Sequence, residues 1–248
     1  HSFVEAAKAK GYDVLEMNGQ LDSHYINYFE SKNQNVRFVR VDSDVVEKLI
    51  QKKEQMSMSL TEAQQDLMRP VFESQLPVEE KIHYNISFEA MSAEDAPIVI
   101  TQNEFMRRMK EMASTSGGDM SRFYAQMPDS YTIAINGNHP LVAEILGDVE
   151  SACGEQVASA EKKIESLENQ LSSLNTLLKD KKAEELSEEE RTQKSDLEAK
   201  IADRRNQRTA LLREEGTRNP LVKQLIDLAL LSNGMLKGES LAAFIRRS

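Results

Sequence analysis

The chain has 248 residues, 40% of them hydrophobic and 29% charged, with 31 basic against 41 acidic side chains and a net charge of -10. That length suits one large folded unit or two small ones, and the acidic balance repels phosphate backbones, which argues against a nucleic-acid partner. A single cysteine, Cys153, precludes an internal disulfide framework and fits a reducing cytosol, and no apolar run approaches the roughly 18 residues of a membrane span.

The chain opens His1-Ser2-Phe3 with no signal-peptide pattern after it, and reads as a piece of a longer protein. Residues 3–48 predict helix, strand, helix, strand, helix. The helix from Phe3 to Lys10 stops at Gly11, a favoured residue just past a helix end. Tyr12–Met17 predicts a strand, closed by the turn signal Asn18-Gly19. Leu21, Tyr25, Ile26 and Phe29 recur at helical spacing. Val36, Phe38 and Val39 mark a second strand, and Val45, Val46, Leu49 and Ile50 a further helix. Two strands joined through a helix make a parallel crossover, and such a pair needs further strands that this sequence does not supply. Residues 1–50 are therefore expected to be the tail of an α/β domain, with 51–60 a polar linker.

Thr61 and Gln64 have capping-box spacing for a short helix, which Pro70 should kink or end before Pro77. Alternation predicts strands at His83–Phe88, Pro97–Ile100 and Tyr131–Ile135. Between the last two, Thr101 is expected to cap a Met-rich helix running to Ala113, followed by a Gly117-Gly118 loop. Asn136-Gly137-Asn138 closes the third strand, and Pro140 opens a helix to about Ser151.

From residue 155 the composition changes. Val157, Ala160, Ile164, Leu167, Leu171, Leu174 and Leu178 recur at alternating steps of three and four, the seam of a coiled coil. After the charged run 179–185, Ser187 and Glu190 form a capping box that starts a second arm with Leu197, Ile201 and Leu211. Arg204 and Arg208 stand where the seam expects apolar residues. A short polar turn between two such arms predicts an antiparallel hairpin, roughly 40 Å long at about 1.5 Å per residue. The last stretch, 219–248, predicts a helix apolar around most of its girth from Leu221 to Leu231, ended by Asn233-Gly234. A final helix is capped by Ser240 and carries Leu241, Phe244 and Ile245.

Chemistry-bearing constellations are sparse. The histidines are His1, His24, His83 and His139, well apart in sequence, without HExxH or paired cysteines for zinc. No Gly-rich phosphate loop occurs, and Gly117-Gly118 runs into Asp119, the wrong charge for a phosphate. The residues supply no catalytic site, no metal site and no cofactor. Two apolar features call for more than internal packing. Phe105, Met109 and Met112 fall on one helix face with Met106 adjacent. That is either an ordinary amphipathic helix on its sheet or an adaptable exposed contact, since unbranched thioethers repack against many shapes. Met120 and Phe123, beyond the Gly-Gly loop, extend it. The pair of terminal helices is the second: either it is buried within a monomer, or one side packs on its own domain and the other on a second copy related by twofold symmetry, giving an intermolecular four-helix bundle.

Pro128–Asn136 with His139–Val142, Thr101–Met112, Leu225–Leu231 with Gly234 and Leu236, and Phe244–Arg247, in that order along the chain, resemble the bacterial heat-shock protein 90 family of molecular chaperones. Residues 3–48 are similar to the last small α/β unit of that family's middle domain. The resemblance implies an α+β C-terminal dimerisation domain over 61–248, following the middle-domain remnant at 1–50. It also implies a homodimer that contacts unfolded clients in the cytoplasm. ATP, Mg and the ATPase would belong to a domain upstream of this segment, so the segment itself would not be an enzyme. By analogy Phe105, Met106, Met109 and Met112 would touch clients, while Leu221, Leu225, Ile226, Leu228, Ala229, Leu231, Phe244 and Ile245 would join protomers. The family's usual form has only a short connection where this chain inserts the hairpin at 152–217. A long surface insertion costs little closure entropy, so the fold need not suffer. The rival reading is a coiled-coil scaffold that oligomerises through 157–211.

Overall fold

The computed structural model describes residues 2–19, 21–44, 56–115, 123, 126–179 and 187–247. The helix expected around Val45–Ile50, the first half of the 51–60 linker and the Gly117-Gly118 loop lie outside the described residues, as do Met120 and all of the charged run 179–185 but Lys179. The fold is mostly helical α+β with one small mixed sheet and two long packed helices. It divides into two compact units, one comprising His1–Thr61, Leu76–Val142 and Leu225–Ser248, the other Glu62–Gln75 and Ala143–Gln224.

In the first unit, α1 (Ser2–Ala9) ends at Gly11, whose φ of 77° is the left-handed conformation that glycine adopts at no steric cost. Helix α2 spans Asp22–Lys32. The strands predicted at 12–17 and 36–39 are absent: both stretches are irregular, and Leu15 is 71% exposed. A strand persists only where its backbone groups find a ladder. Here the Phe38 N–H donates to Glu30 Oε1 at 2.7 Å, and the Phe38 carbonyl accepts from Arg108 at 2.9 Å. Side chains have taken the groups that a neighbouring strand would use.

The sheet comprises β1 (Ile82–Glu89), β2 (Ile98–Gln102) and β3 (Asp129–Asn136), in the order β1-β3-β2. β1 runs parallel to β3, with Ile86 opposite Ile133, and β2 runs antiparallel to it, with Ile100 opposite the same residue. Alternation drives this arrangement, since Ile86, Phe88, Ile98, Ile100, Ile133 and Ile135 are all buried. At the strand end, Asn136 is fully buried and donates to the Ser92 carbonyl at 2.7 Å. Asn138 accepts from Ser59 N at 2.8 Å and donates to the Met91 carbonyl at 3.0 Å. These amides pin the chain around Ser57–Ser59 to the turn. Helix α4 lies between β2 and β3 in the chain. It follows α3 (Glu62–Glu73) in the chain and spans Glu104–Thr115. Its cap is Asn103, whose Oδ1 accepts from Met106 N at 3.2 Å. Thr101, expected as the cap, is instead buried inside β2.

The second unit holds α3 (Glu62–Glu73), most of α5 (Pro140–Leu177) and all of α6 (Glu188–Arg218). Pro70 does not end α3: the helix runs on through it to Glu73, with Met68, Pro70, Val71 and Phe72 buried. Burial of that apolar face offsets the hydrogen bond proline cannot make. α5 begins at Pro140 as its first-turn chemistry predicts, but it continues without interruption through Gly154, so the hairpin grows out of this helix and not out of a loop near 152. α6 opens on the expected capping box, with Ser187 accepting from Glu190 N and Glu190 reaching back to Ser187 N. Val157, Ile164, Leu197 and Ile201 are buried, and the remaining seam residues of α5 are partly buried, so the seam is closed within the chain.

The two arms are antiparallel. Arg208 reaches Glu161 at 2.8 Å and Arg205 reaches Glu168 at 2.6 Å, so positions rise on one arm as they fall on the other. Of the two arginines out of place in the heptad, Arg208 is a partly buried interhelical partner, while Arg204 is exposed and donates to Gln207 on its own helix. Near the base, Gly216 of α6 meets the backbone of α3: an added Cβ would stand 2.3 Å from the Val71 carbonyl oxygen. Asn219 then separates α6 from α7 (Pro220–Ser232). Its Oδ1 accepts from Leu221 N at 3.0 Å and Val222 N at 3.2 Å, while its Nδ2 donates to Asp148 at 3.1 Å. α7 ends at Gly234, φ 66°, with Met235 N donating to the Leu230 carbonyl at 2.8 Å. α8 spans Gly238–Arg247, beginning two residues before Ser240, the expected cap.

Candidate functional site: an outward apolar helix face and the terminal helices

An amphipathic helix on a globular unit usually buries its apolar stripe and leaves its charged side wet. α4 is arranged differently. Two of its charged residues, Arg108 and Glu111, are engaged by the segment 22–38. Arg108 donates to Glu30 Oε2 at 3.0 Å, to Asn27 Oδ1 at 3.2 Å and to the Phe38 carbonyl. Glu111 accepts from Ser23 Oγ at 2.7 Å and from Arg107 at 2.6 Å. Phe29 stacks edge-on against Phe38 beneath this network, with ring centres 5.8 Å apart. Lys110 pairs with Asp129 of β3 at 2.6 Å.

Phe105, by contrast, is 63% exposed, and Met106 and Met109 are partly buried. The Met112 side chain lies outside the described residues. Phe123 is also exposed. Sequence reasoning found the apolar stripe but not what fixes it. The signal was present in Arg108 and Glu111, three apart along one flank of the stripe, with Arg108 three residues from Phe105 and next to Met109.

The terminal helices divide the residues expected at the protomer junction into two groups. Leu225, Ile226, Ala229 and Phe244 are buried within the chain itself. Leu228 is 41% exposed, Leu231 38% and Ile245 65%, with Leu221 half-buried. Leu221, Leu228 and Leu231 fall at i, i+7 and i+10, one stripe of α7, while Val222, Leu225, Ile226 and Ala229 form the opposite, buried stripe. Among these apolar residues sits Asp227, fully buried, its carboxylate paired with Arg247 of α8 at 2.5 Å. The Arg247 guanidinium also stands 5.9 Å over the Phe244 ring. Sequence reasoning passed over this pair, although one acid inside an apolar helix is a signal that a cation is near.

Cys153 is buried, and burial, with the charge of Glu215 adding to it, raises its thiol pKa above the ordinary value. That makes a poor nucleophile. Among the described residues, no group of three His, Cys, Asp or Glu side chains is placed to hold a metal ion, and no helix is long and apolar enough to cross a membrane.

No protein-family model and no solved structure matches the chain. Curated relatives do. It is 41% identical over 247 residues to the chaperone protein HtpG of Bacteroides fragilis, 40% identical over 247 residues to that of Bacteroides thetaiotaomicron, and 39% identical over 248 residues to that of Porphyromonas gingivalis. Each match takes in the whole of this chain, hairpin region included, and 36% of the relative's length. From end to end, therefore, the chain is homologous to a stretch of the HtpG chaperones that makes up about a third of their length.

Proposed function

We propose that this chain is the homodimerising and client-contacting region of an ATP-dependent chaperone of the heat-shock protein 90 family, working in the cytoplasm. The observation that carries the reading is identity of about 40% to HtpG chaperones along the entire chain. Residues 1–50 would close a middle domain and 61–248 form the dimerisation domain. Nucleotide chemistry would lie in the remaining two thirds of a protein of the relatives' length, and this region would contribute tethering. Holding two protomers together raises the effective concentration of their upstream domains for each other without any new contact between those domains.

Two features favour this division of labour. The stripe Leu221, Leu228 and Leu231, with Ile245 on α8, offers a partner the apolar surface that the buried stripe does not use. A self-complementary twofold contact is the economical way to cover it. Phe105, Met106 and Met109 offer a second, adaptable surface on α4. The scaffold reading is less well supported, because the seam of α5 and α6 is satisfied by its own hairpin.

The client contact is tested by Phe105→Ser with Met109→Ser. The double variant is expected to lose most of its suppression of aggregation of a thermally unfolding model protein, with its circular dichroism and melting temperature unchanged. Unfolding of the variant would mark these residues as core, and full suppression would remove α4 from the contact surface.

A further inference from the structure

We infer that Arg108 is a positioning residue that anchors α4 on residues 22–38 and so holds Phe105 toward solvent, with Met106 and Met109 half-buried beside it; this rests on the client-contact reading above. The anchor is unusually complete. The Arg108 side chain is mostly buried and uses both terminal nitrogens, one on Glu30 and Asn27 and the other on the Phe38 carbonyl. Glu30 spends its second oxygen on the Phe38 N–H at 2.7 Å. Three separate stretches, α2, the irregular segment at 33–39 and α4, therefore meet at one ion pair.

The chemistry of the two sides of α4 explains why this matters. A helix with Phe105 exposed and Met106 and Met109 half-buried gains by rolling them further inward, since burial of each such side chain is favourable. What opposes the roll is the cost of stranding Arg108 and Glu30, which are already largely withdrawn from water and paired with each other, with Glu111 adding its bonds to Ser23 and Arg107. An arginine suits the position because its planar fork serves Glu30 and Asn27 from one nitrogen and the Phe38 carbonyl from another, where a lysine would have a single nitrogen for all three. Residues 22–38 belong to the part of the chain read as middle domain, and α4 to the part read as dimerisation domain. The anchor thus makes presentation of the contact helix depend on how the preceding segment is docked.

The test uses the full chain and two readouts. Amide hydrogen exchange across 105–113 reports the anchoring, and binding of reduced, carboxymethylated α-lactalbumin reports the contact. Arg108→Ala is expected to speed exchange across α4 by about tenfold, as for loss of a charge-assisted hydrogen-bond set, while α5 and α6 keep their protection. It is also expected to weaken binding of the unfolded probe several-fold. Glu30→Gln keeps one acceptor oxygen, replaces the other with an amide NH2 that can only donate, and should fall between Arg108→Ala and the unaltered chain. Unchanged exchange across α4 in Arg108→Ala overturns the anchor. Faster exchange with unchanged probe binding overturns the link to presentation. Phe105→Ser, which leaves the anchor intact, separates the two ideas: if it too binds the probe normally, the client-contact reading has failed, whereas the anchor stands or falls on exchange rates alone.

Discussion

Arg247 reaches back twenty residues along the chain to close on the buried carboxylate of Asp227 at 2.5 Å, fastening α8 to α7 through an acid set among leucines. Breaking a buried pair from one side strands the other charge, at a cost of about 3–5 kcal/mol when both partners are buried. Arg247 is itself partly exposed, so water screens the pair and the cost of Arg247→Ala is expected to be lower, about 1–2 kcal/mol. Asp227→Asn removes the stranded charge and should cost less than Arg247→Ala. Urea denaturation of the two variants checks the order; equal losses would mean the pair is not coupled to burial of Asp227.

Gly216 sets the spacing of α6 against α3. Alanine would gain about 1 kcal/mol of helix propensity over glycine. Its Cβ, however, would lie 2.3 Å from the Val71 carbonyl oxygen and 2.7 Å from Val71 Cα, and backbone cannot step aside as a side chain can. Overpacking of that kind costs about 1–3 kcal/mol, so the clash outweighs the propensity. Gly216→Ala is expected to lower the urea midpoint. A raised midpoint would show that the helices can separate freely.

Much of this architecture is legible in the sequence, for identifiable reasons. Strand alternation located β1, β2 and β3 because each strand has one side committed to a core. The three- and four-residue steps from Val157 to Leu178 located the hairpin seam because the same positions are those buried or half-buried in it. What misled was local apolar composition without a partner. Val36, Phe38 and Val39 look like a strand, but side chains of Glu30 and Arg108, distant in sequence, take up the Phe38 backbone groups. Arg208 looked like a flaw in the second arm because its partner, Glu161, belongs to the other arm. Leu225 and Leu228 look alike in sequence, and only packing separates the buried one from the exposed one.

Tyr84 faces Tyr131 across β1 and β3, ring centres 6.3 Å apart, and its hydroxyl is buried without a hydrogen-bond partner among the described residues. Burial, with the charge of Glu79 and then Tyr131 adding to it, pushes its pKa up to about 12 from the usual 10.0. A phenol whose folded pKa is raised contributes stability that is whole below pH 10 and is lost as pH climbs from there through about 12, because the unfolded chain releases the proton first. Tyr84→Phe removes both the orphaned hydroxyl and this titration. It is expected to be neutral to about 1 kcal/mol stabilising near neutrality and to shallow the alkaline fall in the urea midpoint. An unchanged alkaline fall would place the titrating group elsewhere.

The central claim is that the exposed stripe of the terminal helices, and not the hairpin, joins two copies. Glu161 and Arg208 lie side by side across the arms, so the hairpin can be cut between them and rejoined by a short turn, leaving Gly216 and the α3 contact in place. Sedimentation equilibrium of the hairpin-shortened chain and of Leu228→Asp with Leu231→Asp is the decisive measurement. The expected result is dimer mass for the shortened chain and monomer mass for the aspartate variant, with both folded. A monomeric shortened chain beside a dimeric aspartate variant would contradict the account.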